Sequence, residues 1–480
     1  MNRSKVLKNL IWRFAERIGA KLISVIVQLV LARLLAPEVY GTVAIVLVIT
    51  NILQVFVESG FGTALIQKKN ADDLDFSSVF WFNVVICIIL YLLLYLFSPL
   101  IARIYSNDEL IPIIRAVGLI LIISGVRNVQ QAYVSKNMLF KRFFFSTIGG
   151  TVIGGAVGIY MAFLGYGVWA YVAQYLLLNL ISTIILWVTV KWRPNFKFSF
   201  SRLKDLFSYG WKLLAASLLN TVSDQLRPLI IGYKYSSSDL AFYNEGIIFP
   251  NLITENVNTS IDSVLLPALS EEQDKKDNIK HMTKRAVQVS SYVMWPLMVG
   301  IAVCAKPFVS LVLTDKWLPC VPFIRIFCFY YALWPIHTAN LNAIKSIGRS
   351  DIFLKLEVIK KVIDFIVVII TLFISVKAMA VGLMIEGFLF QFLNAYPNSK
   401  LIGYRYFEQL KDIFPSMVIS LLMGGVVFIV TLLELPDIAT LLIQIVLGAA
   451  VYIALSLIFK IDTFNYILCA VKNRKSVKGE

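Results

Sequence analysis

The sequence predicts an all-α membrane protein with about 14 transmembrane helices, arranged as two six-helix bundles in a parallel internal repeat plus two C-terminal helices. Three observations predict this class. The 480 residues are 58% apolar and only 15% charged, whereas soluble domains carry about 25% charged residues. Apolar stretches of about 20 residues, the length that crosses a bilayer, recur from Leu22 to Phe459. A polar pattern in one of these stretches also recurs about 200 residues later, at helical spacing.

The predicted spans follow from apolar windows of about 19 residues, broken where charges or turn residues cluster. In chain order they are 11–35, 42–66, 79–103, 110–134, 143–164, 168–190, 208–232, 242–266, 286–313, 319–344, 352–375, 378–399, 413–433 and 437–460. The connections between them are short, so no segment outside the membrane is long enough to form a catalytic domain.

The orientation follows from Lys and Arg, because these cations are retained on the cytoplasmic side of short loops. With both termini placed in the cytoplasm, seven of the 45 Lys and Arg residues fall in outer connections: Arg33, Arg103, Arg115, Lys234, Lys306, Lys316 and Lys377. This asymmetry predicts an even number of spans and two cytoplasmic termini. It also accounts for the net charge of +16 without nucleic-acid binding.

The predicted repeat relates the second span to the eighth. Asn51 aligns with Asn251, and the helical face of positions 51, 54, 58 and 62 recurs at 251, 254, 258 and 262. Spacings of three and four residues place each set on one helical face. We therefore predict an N-terminal six-helix bundle at 1–200, a C-terminal six-helix bundle at 201–405, and helices 13 and 14 with a basic cytoplasmic tail at 406–480. The alternative to a repeat is chance similarity between two apolar helices that each carry a polar seam.

Polar and charged residues at membrane depth form stripes. On the first span Arg13, Arg17 and Lys21 recur every fourth residue. A charge in hydrocarbon costs about 2.5–3.5 kcal/mol, so such residues normally face protein or water. Stripes on several helices of both halves predict a hydrated cavity between the bundles. The alternatives are that the basic residues of the first span reach cytoplasmic headgroups, and that Asp224 and Arg227 neutralise each other.

No pattern in the sequence points to catalysis or to a cofactor. The two histidines, His281 and His337, stand apart in the sequence, and no glycine-rich nucleotide loop is present. The five cysteines show no metal-ligand spacing and are interpreted as small apolar residues. We predict no enzyme activity, no cofactor and no metal. Gly150, Gly154 and Gly158 recur every fourth residue and predict a close helix–helix contact.

Five parts of the chain carry a family resemblance. They are Leu34–Gly41, Glu58–Ile66, Asn137–Arg142, Phe242–Tyr243 with Leu266–Ser270, and Leu341–Ile344 with Gly348–Arg349. In these parts the sequence resembles the oligosaccharide flippase, or polysaccharide transporter, family of bacteria. The superfamily also holds multidrug and toxin extruders and the lipid II flippase. One departure is Ala241 before Phe242, where the family often has a glycine ahead of a tyrosine pair.

The resemblance implies a twelve-helix core of two lobes plus two further helices, in the bacterial inner membrane. It implies that the substrate is an oligosaccharide on undecaprenyl diphosphate, such as an O-antigen, capsule or exopolysaccharide repeat unit. It further implies export to the outer leaflet by alternating access, with a polysaccharide polymerase and chain-length proteins as partners.

An anionic diphosphate requires Arg or Lys, preferably the forked guanidinium of Arg. The predicted diphosphate-binding residues are Arg17, Lys21, Arg127 and Arg227. The predicted polar residues of the cavity, which include carboxylates able to exchange H⁺ or Na⁺, are Asn51, Glu58, Asp224, Asn251, Glu255, Asp364 and Glu386. Membrane potential alone is the alternative driving force.

Two rival functions fit the hydropathy. A cation-coupled drug exporter of the same superfamily predicts a net acidic cavity, whereas the first and fourth spans carry basic residues. A membrane-embedded glycosyltransferase or polymerase predicts a long outer loop with clustered charges, and the outer connections here are short.

Overall fold

Helices form every regular element of the part of the chain that the computed structural model describes, residues 3–58 and 60–476. Their bounds are α1 Arg3–Leu34, α2 Pro37–Glu58, α3 Phe61–Gln67, α4 Asp73–Ile104, α5 Leu110–Lys136, α6 Phe140–Phe163, α7 Val168–Thr189, α8 Phe200–Lys234, α9 Ser237–Glu271, α10 Lys276–Val312, α11 Val321–Ala332, α12 Trp334–Ser346, α13 Ser350–Leu372, α14 Val376–Leu401, α15 Tyr406–Thr431, α16 Asp437–Ile458 and α17 Asp462–Ser476. A short 3₁₀ helix, Asp315–Cys320, precedes α11. The all-α membrane class is therefore confirmed.

Each of the fourteen predicted spans coincides with helical structure, but the helices differ in hydropathy. Within the described residues, ten segments are long and apolar enough to cross a membrane. The four remaining predicted spans correspond to α1, α8, α9 and α13. These helices carry many of the charged stripes, and the charges lower their mean hydropathy. The number fourteen stays a prediction.

Two predicted spans are interrupted, and one helix was not predicted. The second span divides after Glu58 into α2 and α3, and the tenth divides at Leu333 into α11 and α12. The additional helix α17 follows α16 and is too short to span a bilayer. Cys469 lies exposed on α17, whereas Cys87, Cys320 and Cys328 are buried.

The helix ends match the predicted repeat. α1 ends at Leu34 and α2 begins at Pro37, while α8 ends at Lys234 and α9 begins at Ser237, so both turns recur at an offset of 200 residues. This agreement supports the repeat. The chain forms two compact units, residues 1–241 and 242–480. The bundle boundaries at 200 and 405 stay predictions.

The turn between α1 and α2 is held by residues of the family-like segment. Glu38 accepts a 2.8 Å hydrogen bond from the Ser238 hydroxyl. A Cβ on Gly41 would lie 1.7 Å from the Ser237 carbonyl oxygen, so only glycine permits this approach of α2 to the start of α9. The Tyr40 hydroxyl donates to the Gln28 carbonyl at 3.1 Å. The segment Pro37–Gly41, part of the family-like segment Leu34–Gly41, therefore has a role in helix packing.

In the first unit, α6 packs against α7 and α1, α4 packs against α5, and α2 packs against α5 and α8. A Cβ on Gly150 or Gly154 would lie 2.5–2.8 Å from backbone atoms of α7. The predicted close contact of the glycine stripe is therefore confirmed, with α7 as the partner. In the second unit, α10 packs against α15, α11 and α16, and α13 packs against α14.

A buried carboxylate joins α3, α4 and α8 in the first unit. Asp75 is fully buried, its carboxylate lies 2.7 Å from Lys68 Nζ and 3.6 Å from Arg202 Nη1, and it forms a reciprocal capping box with Asp72. Charge-assisted contacts of this kind contribute about 1.5–3 kcal/mol. This cluster anchors the start of α4.

Replacing Asp75 with asparagine is expected to reduce the free energy of unfolding by about 1.5–3 kcal/mol, because the amide keeps the shape but loses the charge. Thermal unfolding of the purified protein in detergent measures the change. The matched control is Asp108→Asn, an exposed carboxylate, which is expected to change stability by less than about 0.5 kcal/mol. Equal losses in the two variants would contradict the role given to Asp75.

Candidate functional site

Four residues on α2, α5 and α7 form a polar group in the first unit, the Arg127 cluster: Glu58, Arg127, Tyr175 and Asn179. Arg127 Nη1 donates a 2.8 Å hydrogen bond to Asn179 Oδ1. Asn179 Nδ2 in turn donates to the Tyr175 carbonyl at 2.8 Å, which fixes the orientation of the amide. The Arg127 guanidinium also interacts electrostatically with the Glu58 carboxylate. Two of the predicted site residues, Glu58 and Arg127, are thus brought together.

The Arg127 guanidinium keeps hydrogen-bonding capacity beyond these contacts. Its Nε is buried and makes no hydrogen bond to any residue in 3–58 or 60–476. A guanidinium carries five N–H donors in a planar fork that matches the oxygens of a carboxylate or phosphate. One donor is engaged by Asn179, so the remaining donors can bind an anion at this position.

The helix break after α2 places Glu58 beside Arg127. Asn128, next to Arg127 on α5, donates a hydrogen bond from its amide to the Val57 carbonyl in the last turn of α2. A Cβ on Gly62 would lie 2.9 Å from Asn128 Oδ1, so glycine permits α3 to pass close to α5. A carboxylate at a helix C-terminus is unfavourable, since that end carries partial negative charge. The nearby Arg127 offsets this cost for Glu58.

The three basic residues Arg13, Arg17 and Lys21, which we call the cationic seam of α1, differ in their contacts. Arg13 Nη1 lies 2.7 Å from Glu16 Oε2, and Glu16 accepts a 3.0 Å hydrogen bond from Thr147 on α6. Arg17 and Lys21 are exposed on α1 and have no hydrogen bond or ion pair to the described part of the chain. Arg17 and Lys21, the two of these three residues that are predicted to bind an anion, are therefore those without a hydrogen bond or ion pair to residues 3–58 and 60–476.

The other predicted site residues lie on separate helices. In the first unit, Asn51 is half-buried on α2, Arg227 is 8% exposed on α8, and Asp224 is exposed one turn earlier. In the second unit, Asn251 and Glu255 are exposed on α9. Asp364 is half-buried on α13 and Glu386 is fully buried on α14. The structure shows on which helix each residue lies and how exposed it is. The roles of these residues in the site stay predictions.

The sequence analysis missed Tyr175 and Asn179, which position Arg127. The available signal was their spacing of four residues on α7, continued by Thr183, whose hydroxyl donates to the Asn179 carbonyl at 2.8 Å. The analysis also missed an amide network in the second unit. There Asn340 Nδ2 donates to Gln409 Oε1 at 2.8 Å, and Asn398 Nδ2 donates to Asn340 Oδ1 at 2.7 Å. These contacts join α12, α14 and α15.

The chain was compared with models of known protein families. The model of a family described as polysaccharide biosynthesis protein matches residues 30–322, which is more than half of the chain. The chain belongs to this family. The matched range includes α2, α5 and α7, and therefore the whole Arg127 cluster.

Individual relatives agree with the family. The chain is 25% identical over 305 residues to the teichuronic acid biosynthesis protein TuaB of Bacillus subtilis (strain 168), covering 63% of each chain. It is 21% identical over 352 residues to the succinoglycan biosynthesis transport protein ExoT of Rhizobium meliloti (strain 1021), covering 73% of this chain and 71% of the relative. The chain thus spans less than two thirds of the length of TuaB.

Among solved structures, the fold is similar to the lipid II flippase MurJ in an inward closed conformation. The TM-score is 0.75 at 16% identity, covering 95% of this chain and 100% of MurJ. This similarity shows the fold, and the family model shows the family. The resemblance to the oligosaccharide flippase family is therefore confirmed.

Proposed function

We propose that this family member flips an oligosaccharide linked to undecaprenyl diphosphate from the cytoplasmic to the outer leaflet of the bacterial inner membrane by alternating access. The observation that carries the proposal is the Arg127 cluster, which holds a guanidinium with unused donors on a helix long and apolar enough to span the bilayer. Family membership supports the polysaccharide part of the substrate. A polysaccharide polymerase and chain-length proteins are the proposed partners.

The physical need for a protein is clear from the substrate. Each sugar hydroxyl costs a few kcal/mol to bury without a hydrogen bond, so an oligosaccharide does not cross the bilayer unaided. The diphosphate adds negative charge, for which Arg127 supplies a forked donor. Arg17 and Lys21 are exposed on α1 and make no ion pair with the described residues. They are proposed to receive the diphosphate with Arg127, and Arg227 is proposed as a fourth cation. These basic residues favour an anionic substrate over the cationic drug of the rival function.

The membrane potential is sufficient to drive export. Moving about two negative charges outward across about 100 mV, inside negative, releases about 4.6 kcal/mol. We propose this as the main driving force. Exchange of H⁺ or Na⁺ at Glu58, Asp224, Glu255, Asp364 or Glu386 is the second candidate, because these carboxylates lie on helices within the predicted spans.

Reconstitution into liposomes tests the function. A labelled undecaprenyl-diphosphate oligosaccharide is expected to change leaflet when a potential is imposed, and addition of an enzyme that digests only exposed sugar measures its location. A lipophilic cation serves as the rival substrate and is not expected to be transported. Failure of the lipid-linked sugar to move under a potential, a proton gradient or a sodium gradient would contradict the proposal.

A further inference from the structure

A cleft in the second unit, distinct from the Arg127 cluster, has the size of a ligand site. It has a volume of about 780 Å³ and is lined by α10, the first half of α15, and the turn between α16 and α17. Sites for small molecules typically enclose about 300–1,000 Å³. All its walls belong to residues 280–463, so it is formed within one unit.

Hydrogen bonds join α10 to α16 next to the cleft. About one turn beyond Gln288, the Tyr292 hydroxyl lies 2.8 Å from Ser456 Oγ, and the Tyr452 hydroxyl donates to the Tyr292 carbonyl at 2.7 Å. These bonds hold α10 against α16. On the flank, Arg285 stacks over the ring of Tyr466, with 3.6 Å between its Cζ and the ring centroid, and so holds α17 beside α10.

Two lysines of the lining are not neutralised. Lys280 lies 3.2 Å from Glu408, and Lys284 lies 3.1 Å from Asp412, so these four charges form pairs. Lys411 and Lys460 are exposed and make no ion pair within the described part of the chain. Asp462, which also lines the cleft, is the first residue of α17. The positive end of the helix dipole stabilises its carboxylate at this position.

The backbone at Lys460 does not favour a lysine. Its φ is +49°, in the left-handed region where glycine is the usual residue after a helix. The turn from α16 to α17 would form at lower cost with glycine. The side chain of Lys460 lines the cleft.

Part of the lining of the cleft is apolar. Phe414 and Phe459 are 58% and 56% exposed, and Val418 lies one turn after Phe414 on the same helix. A soluble anion such as free phosphate would leave these side chains uncovered. A ligand with a phosphate joined to hydrocarbon chains satisfies both the lysines and the apolar wall.

We propose that this cleft binds the headgroup of one anionic glycerophospholipid. The phosphate lies between Lys411 and Lys460, and the first part of the acyl chains covers Phe414, Val418 and Phe459. The lipid bridges α15 to the α16–α17 turn and so holds α17 in place. This site does not depend on the transport function.

Native mass spectrometry of the full-length protein in detergent tests the proposal, with phosphatidylglycerol and phosphatidylcholine as probes. We expect one tightly retained phosphatidylglycerol per chain and no comparable retention of phosphatidylcholine. The variant Lys411→Gln with Lys460→Gln is expected to weaken phosphatidylglycerol binding at least about tenfold, since each basic residue near a membrane surface contributes to anionic-lipid binding. Thermal unfolding without added lipid is expected to match that of the unchanged protein, because both side chains are exposed.

The matched control is Lys306→Gln with Lys377→Gln, which removes two exposed lysines from other parts of the same unit and is expected to bind phosphatidylglycerol normally. Three results would overturn the proposal: retention of the lipid by the Lys411 and Lys460 variant, equal binding of phosphatidylcholine, or displacement of phosphatidylglycerol by undecaprenyl phosphate at equal concentration. The last result would assign the cleft to the carrier of the transported sugar. None of these measurements requires translocation.

Discussion

Replacing Arg127 with alanine is expected to slow translocation of the lipid-linked oligosaccharide about 10- to 150-fold. The proposed contact is a charge-assisted hydrogen bond between a guanidinium and a phosphate, and such bonds contribute about 1.5–3 kcal/mol. The loss falls on the guanidinium donors that make no hydrogen bond within the described residues. Initial rates in liposomes under a fixed potential measure the effect.

Two further variants separate charge from position. Arg127→Lys keeps the charge but loses the fork, so it is expected to recover part of the rate. Asn179→Ala keeps the guanidinium but removes the 2.8 Å hydrogen bond that orients it, and a smaller loss is expected. Wild-type rates in Arg127→Ala protein that is folded and correctly inserted would contradict the role of Arg127 as an anion-binding residue.

Removing the charges of Arg17 and Lys21 on α1, with Arg17→Gln and Lys21→Gln together, is expected to slow translocation about tenfold. Both side chains are exposed, so solvent screens each interaction and the effect per charge is smaller than for Arg127. The double variant is expected to fold normally, because neither side chain contacts a protein partner in the described residues. The same liposome assay measures the rate.

The control for this pair is Lys69→Gln with Lys197→Gln, which removes two exposed cations from connections of the same unit. Its rate is expected to stay within twofold of the unchanged protein. An equal loss of translocation rate in the two double variants would indicate a general effect of surface charge and would contradict a specific role of Arg17 and Lys21.

The sequence predicted the helices well because hydrophobic length is a local property. The four helices without a fully apolar window, α1, α8, α9 and α13, are those in which charged residues interrupt the apolar pattern. The break between α2 and α3 was missed, since it depends on the tertiary contacts of Asn128 with Val57 and Gly62. No pattern in the sequence of the second predicted span indicates the contacts of its residues with Asn128.

The candidate site could be predicted only in part. Arg127 and Glu58 stand out in the sequence as charges in apolar helices, but their proximity is a property of how α2 packs on α5. Asn179 carries no charge, and the polar spacing on α7 does not by itself identify it as the partner of Arg127. The α10–α15–α17 cleft joins residues more than 120 positions apart, and hydropathy does not bring them together.

The central claim is that a cationic site at membrane depth binds the diphosphate of a lipid-linked sugar. The most direct test is an experimental structure of the full chain with a bound undecaprenyl-diphosphate oligosaccharide. The account predicts a phosphate oxygen within hydrogen-bonding distance of the Arg127 guanidinium, with Arg17 or Lys21 on the same headgroup. A diphosphate bound elsewhere, with Arg17 and Lys21 directed toward acyl chains, would contradict it.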